Sequence, residues 1–244
     1  MKVHLRGALR ESETKRFILR RLRKGPASGT ELARKLGISR VAVWKHIKEL
    51  NSLGYSIRAT GKGYCLEKEA KIPCPWELEV KAIYFHAVSS TMEVARALAE
   101  RGTLRTFVIA GEQTSGRGRL GRSWLSMPGG LYFSLALSPG IPMEDLSDLR
   151  LRIMEEVAGA IKNFGVDVKV NENGIFTKNG KLGGVLVEGF GEPELARFAV
   201  VGVGVNVNNP VPRGGTSLSL ELGKRVSLLR VAKAVIEGVS YDTC

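Results

Sequence analysis

Three arginines and three glycines share one eleven-residue stretch, Glu112-Gln-Thr-Ser-Gly-Arg-Gly-Arg-Leu-Gly-Arg122. Gly116, Gly118 and Gly121 let the backbone wrap closely round a ligand, and Arg117, Arg119 and Arg122 supply fixed positive forks. Guanidinium groups grip carboxylates and phosphates in pairs of hydrogen bonds, and turning backbone N–H groups add further donors. The spacing is neither that of a Walker loop nor that of a dinucleotide fingerprint. A merely solvated basic loop is the alternative, but Gln113, the only glutamine in the chain, stands at its mouth. Downstream, Asn179-Gly180 signals a hairpin turn, and Lys181 opens the returning strand where it would reach an anion. Gly183-Gly184 and the run Val201-Gly-Val-Gly-Val-Asn-Val-Asn-Asn209 place glycines inside apolar strands. Such glycines mark either close backbone approach to a ligand or tight strand packing.

The elements that would hold these loops are legible from periodicity. Strands are expected at Lys81–His86, Phe107–Glu112, Leu131–Leu137, Val166–Val170, Lys181–Glu188 and Phe198–Asn206. Helices are expected at Met92–Glu100, with capping candidates in Ser89-Ser-Thr91, and at Leu146–Phe164, with Leu149, Ile153, Val157 and Ile161 on one stripe. A last helix is expected at Ser227–Gly238. This part is therefore α+β with a mixed sheet.

Residues 12–66 read differently. A helix carrying Phe17, Ile18 and Leu22 stops at Lys24-Gly25-Pro26. Thr30 is a candidate N-cap for Glu31–Leu36, Gly37 a left-handed terminator, Ile38 the buried residue of the turn, and Ser39 the cap of Arg40–Leu53. Val43, Ile47 and Leu50 form the inward stripe of that last helix and leave Arg40, Trp44, Lys45 and Lys48 outside. Tyr55–Thr60 and Tyr64–Leu66 flank a Gly61-Lys-Gly63 turn as a wing. This is a winged helix-turn-helix, whose second helix enters the major groove of DNA. Ser39 and Arg40 would lie near phosphate or base edges, Lys45 and Lys48 on the backbone, and Arg58 and Lys62 on an adjacent groove. Trp44 and His46 read as packing residues.

Charge supports this reading. The net charge is +13, and residues 1–68 hold 17 Lys and Arg against 5 Glu, a net of +12. A positive field so concentrated suits a polyanion. The expected organisation is 1–68 winged helix-turn-helix, 69–79 linker around Pro73-Cys-Pro75, and 80–244 α+β domain. No stretch is long and apolar enough to span a membrane, and the N-terminus has no apolar export signal. Cys65, Cys74 and Cys244 are an odd, widely spaced set. They fit free thiols in a cytoplasmic protein, with a Cys65–Cys74 pair as the alternative.

The glycine–arginine loop, the Lys181-Leu-Gly-Gly-Val-Leu-Val-Glu188 strand and the Gly-Val-Gly-Val-Asn-Val-Asn run agree in order and spacing with one family. The chain resembles the bifunctional biotin–protein ligases that also repress biotin genes, over about Lys15–Gly238. The resemblance implies a biotin/lipoate-ligase-like domain that makes biotinyl-AMP from biotin and Mg2+-bound ATP. Biotin then passes to a lysine of a biotin carboxyl carrier domain, acetyl-CoA carboxylase being the expected acceptor enzyme. It also implies a homodimer on operator DNA. By resemblance, Ser90, Thr91 and Gln113 contact biotin, and Arg117 holds the carboxylate region. Arg119 and Lys181 are the catalytic pair at the carboxylate and α-phosphate, and Arg122 belongs to the loop that orders over the ligand. Gly116, Gly118, Gly183 and Gly184 are expected to line the ligand, with Asn173, Asn206 and Asn208 on the nucleotide side. No metal ligand is assigned.

The chain departs from the family at named positions. Where the family has Lys-Trp-Pro-Asn-Asp before the hairpin, this chain has Lys169-Val-Asn-Glu-Asn-Gly174. Counted back from Lys181, Asn173 matches the asparagine and Gly174 replaces the aspartate; a shift of one residue restores Lys169 but not the aspartate. Glu172 is the neighbouring carboxylate. Met92 replaces the asparagine after Ser-Thr, and the small C-terminal domain of many members is expected to be absent. A second reading follows: a repressor without catalysis that senses biotin or another small carboxylate. A lipoate-type ligase is a third.

Overall fold

A computed structural model describes residues 7–239; residues 1–6 and 240–244, Cys244 among them, lie outside the described part. Three serines start the N-terminal helices. Ser12, Ser28 and Ser39 stand in extended backbone, and each hydroxyl accepts from the backbone N–H three residues on, opening α1 (Glu13–Arg23), α2 (Gly29–Leu36) and α3 (Arg40–Ser52). Ser28, not Thr30, caps α2: it stands in extended backbone and its hydroxyl accepts from the Glu31 N–H at 3.0 Å. Glu31 does not turn back to the cap; it grips Arg21 at 2.7 and 3.1 Å. Gly37 closes α2 at φ 65°. Val43, Ile47 and Leu50 are buried as the stripe required, while Ile38 is only half-buried. Trp44 does not pack inward: it is 50% exposed. The wing pairs β2 (Ser56–Thr60) with β3 (Gly63–Lys68). Gly63 lies at φ +109°, where a Cβ would stand 2.4 Å from the Ala27 carbonyl oxygen. That contact lets Ala27 and Tyr64 exchange two backbone hydrogen bonds and locks the wing to the start of α2.

The 69–79 stretch is packed rather than free. Ala70, Cys74 and Trp76 are buried in the helical core. Burial pushes the Cys74 thiol up to about 12, and Cys65 and Cys74 are both free thiols. Glu77 is buried beside them and binds Arg23, Tyr55 and Lys233.

The larger part is built on an eight-stranded sheet. Its strands are β1 (Leu9–Arg10), β4 (Ala82–Val88), β5 (Phe107–Gln113), β6 (Leu131–Leu137), β7 (Lys169–Asn171), β8 (Gly174–Thr177), β9 (Gly180–Glu192) and β10 (Leu195–Val205), in the order β1-β4-β5-β6-β10-β9-β8-β7. Only β4 and β5 pair in parallel, so a crossover must join them, and α4 (Thr91–Ala99) supplies it. α5 (Leu146–Lys162) and α7 (Leu228–Gly238) cover the opposite face, where Leu149, Ile153, Val157 and Ile161 meet Phe133, Leu135 and Val201. With helices on both faces, all seven residues of β6 are buried. The strand expected at Val166–Val170 starts only at Lys169. Sequence periodicity missed β1, β8 and the five-residue α6 (Leu218–Leu222), each too short to show a period. The mixed-sheet α+β architecture behind a winged helix is the one expected.

Candidate functional site

α4 and β5 meet at the polar end of a cavity of about 130 Å³. Thr91 donates to the Gln113 side-chain oxygen from its backbone N–H at 2.8 Å and from its hydroxyl at 3.0 Å. The Gln113 amide donates to Ser126 Oγ at 2.8 Å, and Ser126 Oγ donates to the Trp124 carbonyl. Ser134 Oγ stands 2.7 Å from Thr91 Oγ1. Gln113 is thereby fixed at both ends of its amide. Ser90, the N-cap of α4, makes no capping bond; it is 1% exposed and its hydroxyl has no partner in the protein. A buried hydroxyl left unpaired costs about 1–3 kcal/mol, so its place at the cavity wall points to a polar ligand atom.

The opposite end is cationic. The arginine loop folds back on itself, with Trp124 N–H donating to the Gly116 carbonyl and Gly118 N–H to the Arg122 carbonyl at 2.7 Å. Leu120 at its tip is 85% exposed and adopts φ 55°. Arg117 pairs with Glu188 at 2.9 Å. Arg119 donates to the backbone carbonyl of Glu172, and so does Arg150 at 3.1 Å. Glu172 sits in the turn between β7 and β8 and meets these arginines through its main chain, not as a replacement carboxylate. Lys181 Nζ lies 5.4 Å from the Trp124 ring and 5.9 Å from the Phe176 ring. Burial, then Arg122 and Arg119, holds its amine below the usual lysine range. Gly174, which the ungapped register sets opposite the family aspartate, lies at φ +144°. A Cβ there would meet the Gly183 carbonyl oxygen at 2.6 Å and Lys181 Cε at 2.8 Å, so the backbone passes close beside the Lys181 side chain with room only for glycine. Among the described residues no group of three or more His, Cys, Asp and Glu could hold a metal.

Ten of the expected residues line this one cavity: Ser90, Thr91, Gln113, Arg117, Gly118, Arg119, Arg122, Asn173, Lys181 and Gly184. Asn206 lies instead on a second cavity of about 210 Å³, which shares Lys181, Ser123 and Trp124 with the first. Three expectations fall outside both. Gly116 is packed under Trp124, where a Cβ would meet the Trp124 carbonyl oxygen at 2.4 Å. Gly183 faces Ile175 and Val205 on the core side, because neighbours on a strand point to opposite faces. Asn208 is turned away and exchanges hydrogen bonds with the backbone of Val226. Trp124 and Ser134 went unread: the indole separates the two cavities, and Ser134 is the one polar residue of an otherwise apolar β6. That lone serine was the available signal. Gly204 makes room for the indole, since a Cβ there would lie 2.6 Å from Trp124 Nε1.

On the helical domain, Arg40, Lys45, Lys48 and Lys62 are exposed; Ser39 caps α3, and Arg58 pairs with Glu67 at 2.7 Å. Arg40→Ala is expected to weaken duplex DNA binding about tenfold and leave ligand binding unchanged. Equal affinity of variant and wild type in a fluorescence titration would remove Arg40 from the DNA face.

Residues 14–65 match the HTH domain family and residues 84–206 the Biotin/lipoate A/B protein ligase family. The bifunctional ligase/repressor BirA of Bacillus subtilis is 35% identical over 230 residues, which are 86% of this chain and 71% of that protein. The biotin protein ligase of Aquifex aeolicus, solved in complex with biotin and ATP, superposes with a TM-score of 0.52 at 32% identity over 65% of this chain and 69% of that one. The Leishmania major enzyme, solved with biotinyl-5-AMP, gives 0.55 at 26% identity over 66% and 73%. With the helix-turn-helix ahead of the ligase fold and the arginine loop facing the lysine strand across one cavity, the chain belongs to the bifunctional biotin ligase/repressor family.

Proposed function

We propose that this protein joins biotin to ATP as biotinyl-AMP, passes biotin to a carrier-domain lysine, and represses transcription by binding operator DNA. One observation carries the ligase reading: a single cavity has a neutral polar end at Ser90, Thr91 and Gln113, and a cationic end at Arg119, Arg122 and Lys181. A neutral ring bearing a carboxylate that must meet a phosphate is the ligand such a cavity fits. The unpaired Ser90 hydroxyl and the fixed Gln113 amide hold the ring. A carboxylate oxygen attacks the α-phosphorus, the bond to the β-phosphate oxygen breaks, and pyrophosphate leaves. Two anions must approach for this, and Lys181 with Arg119 and Arg122 offsets their repulsion and the charge that develops. The neutral amine of an acceptor lysine then attacks the acyl carbon of the mixed anhydride. An amide forms, AMP leaves and the amine gives up a proton. Magnesium would arrive with the triphosphate and supply charge neutralisation there.

The carrier domain of acetyl-CoA carboxylase is the acceptor this reading names, and a homodimer is the form that would read an inverted-repeat operator. Among the described residues no helix is long and apolar enough to cross a membrane, and a cytoplasmic site of action is proposed. The sensor reading has one observation in its favour, the absence of the family aspartate from Lys169–Gly174 in either register. Native mass spectrometry after incubation with biotin and Mg-ATP separates the two. Retained biotinyl-AMP supports the ligase, whereas biotin alone or nothing would leave the sensor. Arg119→Ala should lower adenylate yield about a hundredfold with the circular dichroism spectrum unchanged. Wild-type yield from that variant would overturn the assignment.

A further inference from the structure

Val41 and Trp44 belong to no core and have no part in the ligase chemistry. They stand three residues apart on the outer face of α3, 62% and 50% exposed. With Arg40 they line a groove whose far wall is the wing turn at Thr60 and Gly61. The Ala27–Tyr64 backbone pair fixes the wing to α2, so the width of this groove is set by the fold. Lys48 Nζ lies 5.3 Å from the Trp44 ring and steadies the indole.

An exposed indole and an exposed branched side chain are poor surface choices and mark a contact. Charge identifies the partner. Residues 1–68 carry a net +12, which repels a basic protein surface and attracts a polyanion. Phosphates gain nothing from valine or tryptophan side chains. The apolar feature that a duplex displays in its major groove is the thymine 5-methyl group. The first two turns of a recognition helix are the ones that reach base edges, and residues 41 and 44 lie in them.

We infer that Val41 and Trp44 read thymine methyl groups in the major groove, and that they rather than the surrounding basic residues set sequence preference on this face. The inference rests on the DNA-binding reading above. Arg40 adds base-edge or phosphate contact beside them, and Lys45 and Lys48 hold the backbone without reading it.

The test uses the full chain, with and without biotin and Mg-ATP. Duplexes are selected from a random library at fixed low salt, and the best binder is remade with deoxyuridine in place of deoxythymidine. Removing each contacted methyl should weaken wild-type binding about fourfold. Trp44→Ala and Val41→Ala should lose that thymine-over-uracil preference while binding to random-sequence duplex changes less than about twofold. Lys45→Ala should weaken both duplexes alike and keep the preference. Both apolar side chains are exposed, so their variants should melt at the wild-type temperature. Equal wild-type affinity for the thymine and uracil duplexes would overturn the inference, as would a preference that survives undiminished in both Trp44→Ala and Val41→Ala. Retention of no duplex at all would overturn the DNA-binding reading itself.

Discussion

Lys181→Met is expected to cut biotinyl-AMP formation about a thousandfold while raising the melting temperature of the ligand-free protein by about 2 °C. Both effects come from one arrangement. The Lys181 amine is half-buried beside Arg119 and Arg122, flanked by the Trp124 and Phe176 rings. Burial and like charge hold its proton affinity below that of an unfolded lysine. In the interval between the lowered folded value and the ordinary value, the unfolded chain binds more protons, so stability rises with pH there. Below that interval the folded protein carries the full cost of the cation. Methionine has nearly the same length and no charge, so the melting gain should be present at neutral pH, shrink as pH rises through that interval and vanish only above the ordinary lysine value. An incoming carboxylate and α-phosphate would reverse the balance, since anions beside Lys181 favour its charged form. Calorimetry across pH and a pyrophosphate-release assay check the two halves separately. Wild-type adenylation by the variant would remove Lys181 from the chemistry. A lower melting temperature would show that the lysine stem, not its charge, dominates at this position.

Glu77→Ala should lower the melting temperature by about 9 °C, the equivalent of about 3 kcal/mol. The Glu77 side chain is 2% exposed and is the hub of a buried polar network. Arg23 donates to it at 2.6 Å and Tyr55 at 2.7 Å, the Trp76 indole N–H donates to the Tyr55 oxygen at 3.2 Å, and Lys233 of α7 approaches to 3.8 Å. Arg23 is held above its ordinary value by Glu69 first, then, against its burial, by Glu77. Alanine would leave the Tyr55 hydroxyl without an acceptor in a dry site and take from Arg23 one of its two carboxylate partners, its Nη2 keeping Glu69, which is the costly way to break such a network. Glu77→Gln keeps an acceptor for Tyr55 and should lose about half as much. Lys233 comes from the ligase part and Tyr55 from the winged helix, so hydrogen exchange in Glu77→Ala should rise in both. Exchange confined to the winged helix would show that the network does not tie the two parts together.

Residue type and spacing alone determined the winged helix, the buried stripe of α3, the positions of most strands, a glycine–arginine loop and a strand-borne lysine. These features are local. A serine cap answers to the backbone N–H three residues on, a helical stripe to its own period, and a glycine-rich loop to its own backbone. What a side chain faces across the sheet is not local. Gly183 and Gly184 read alike in the sequence, yet the pairing of Gly184 with Gly204 sends one toward the core and the other to the cavity. The same register brings Ser134 opposite Gly202, and Gly202 leaves room for Met92. The α3 stripe already left Trp44 outside, but its residue type read as packing, and only the completed fold showed it half-exposed. β1 carries no periodic signal and exists because β4 offers it an open edge. The loss of the family aspartate was visible in sequence. That Lys181 runs beside Gly174 depends on β8 and β9 folding against each other.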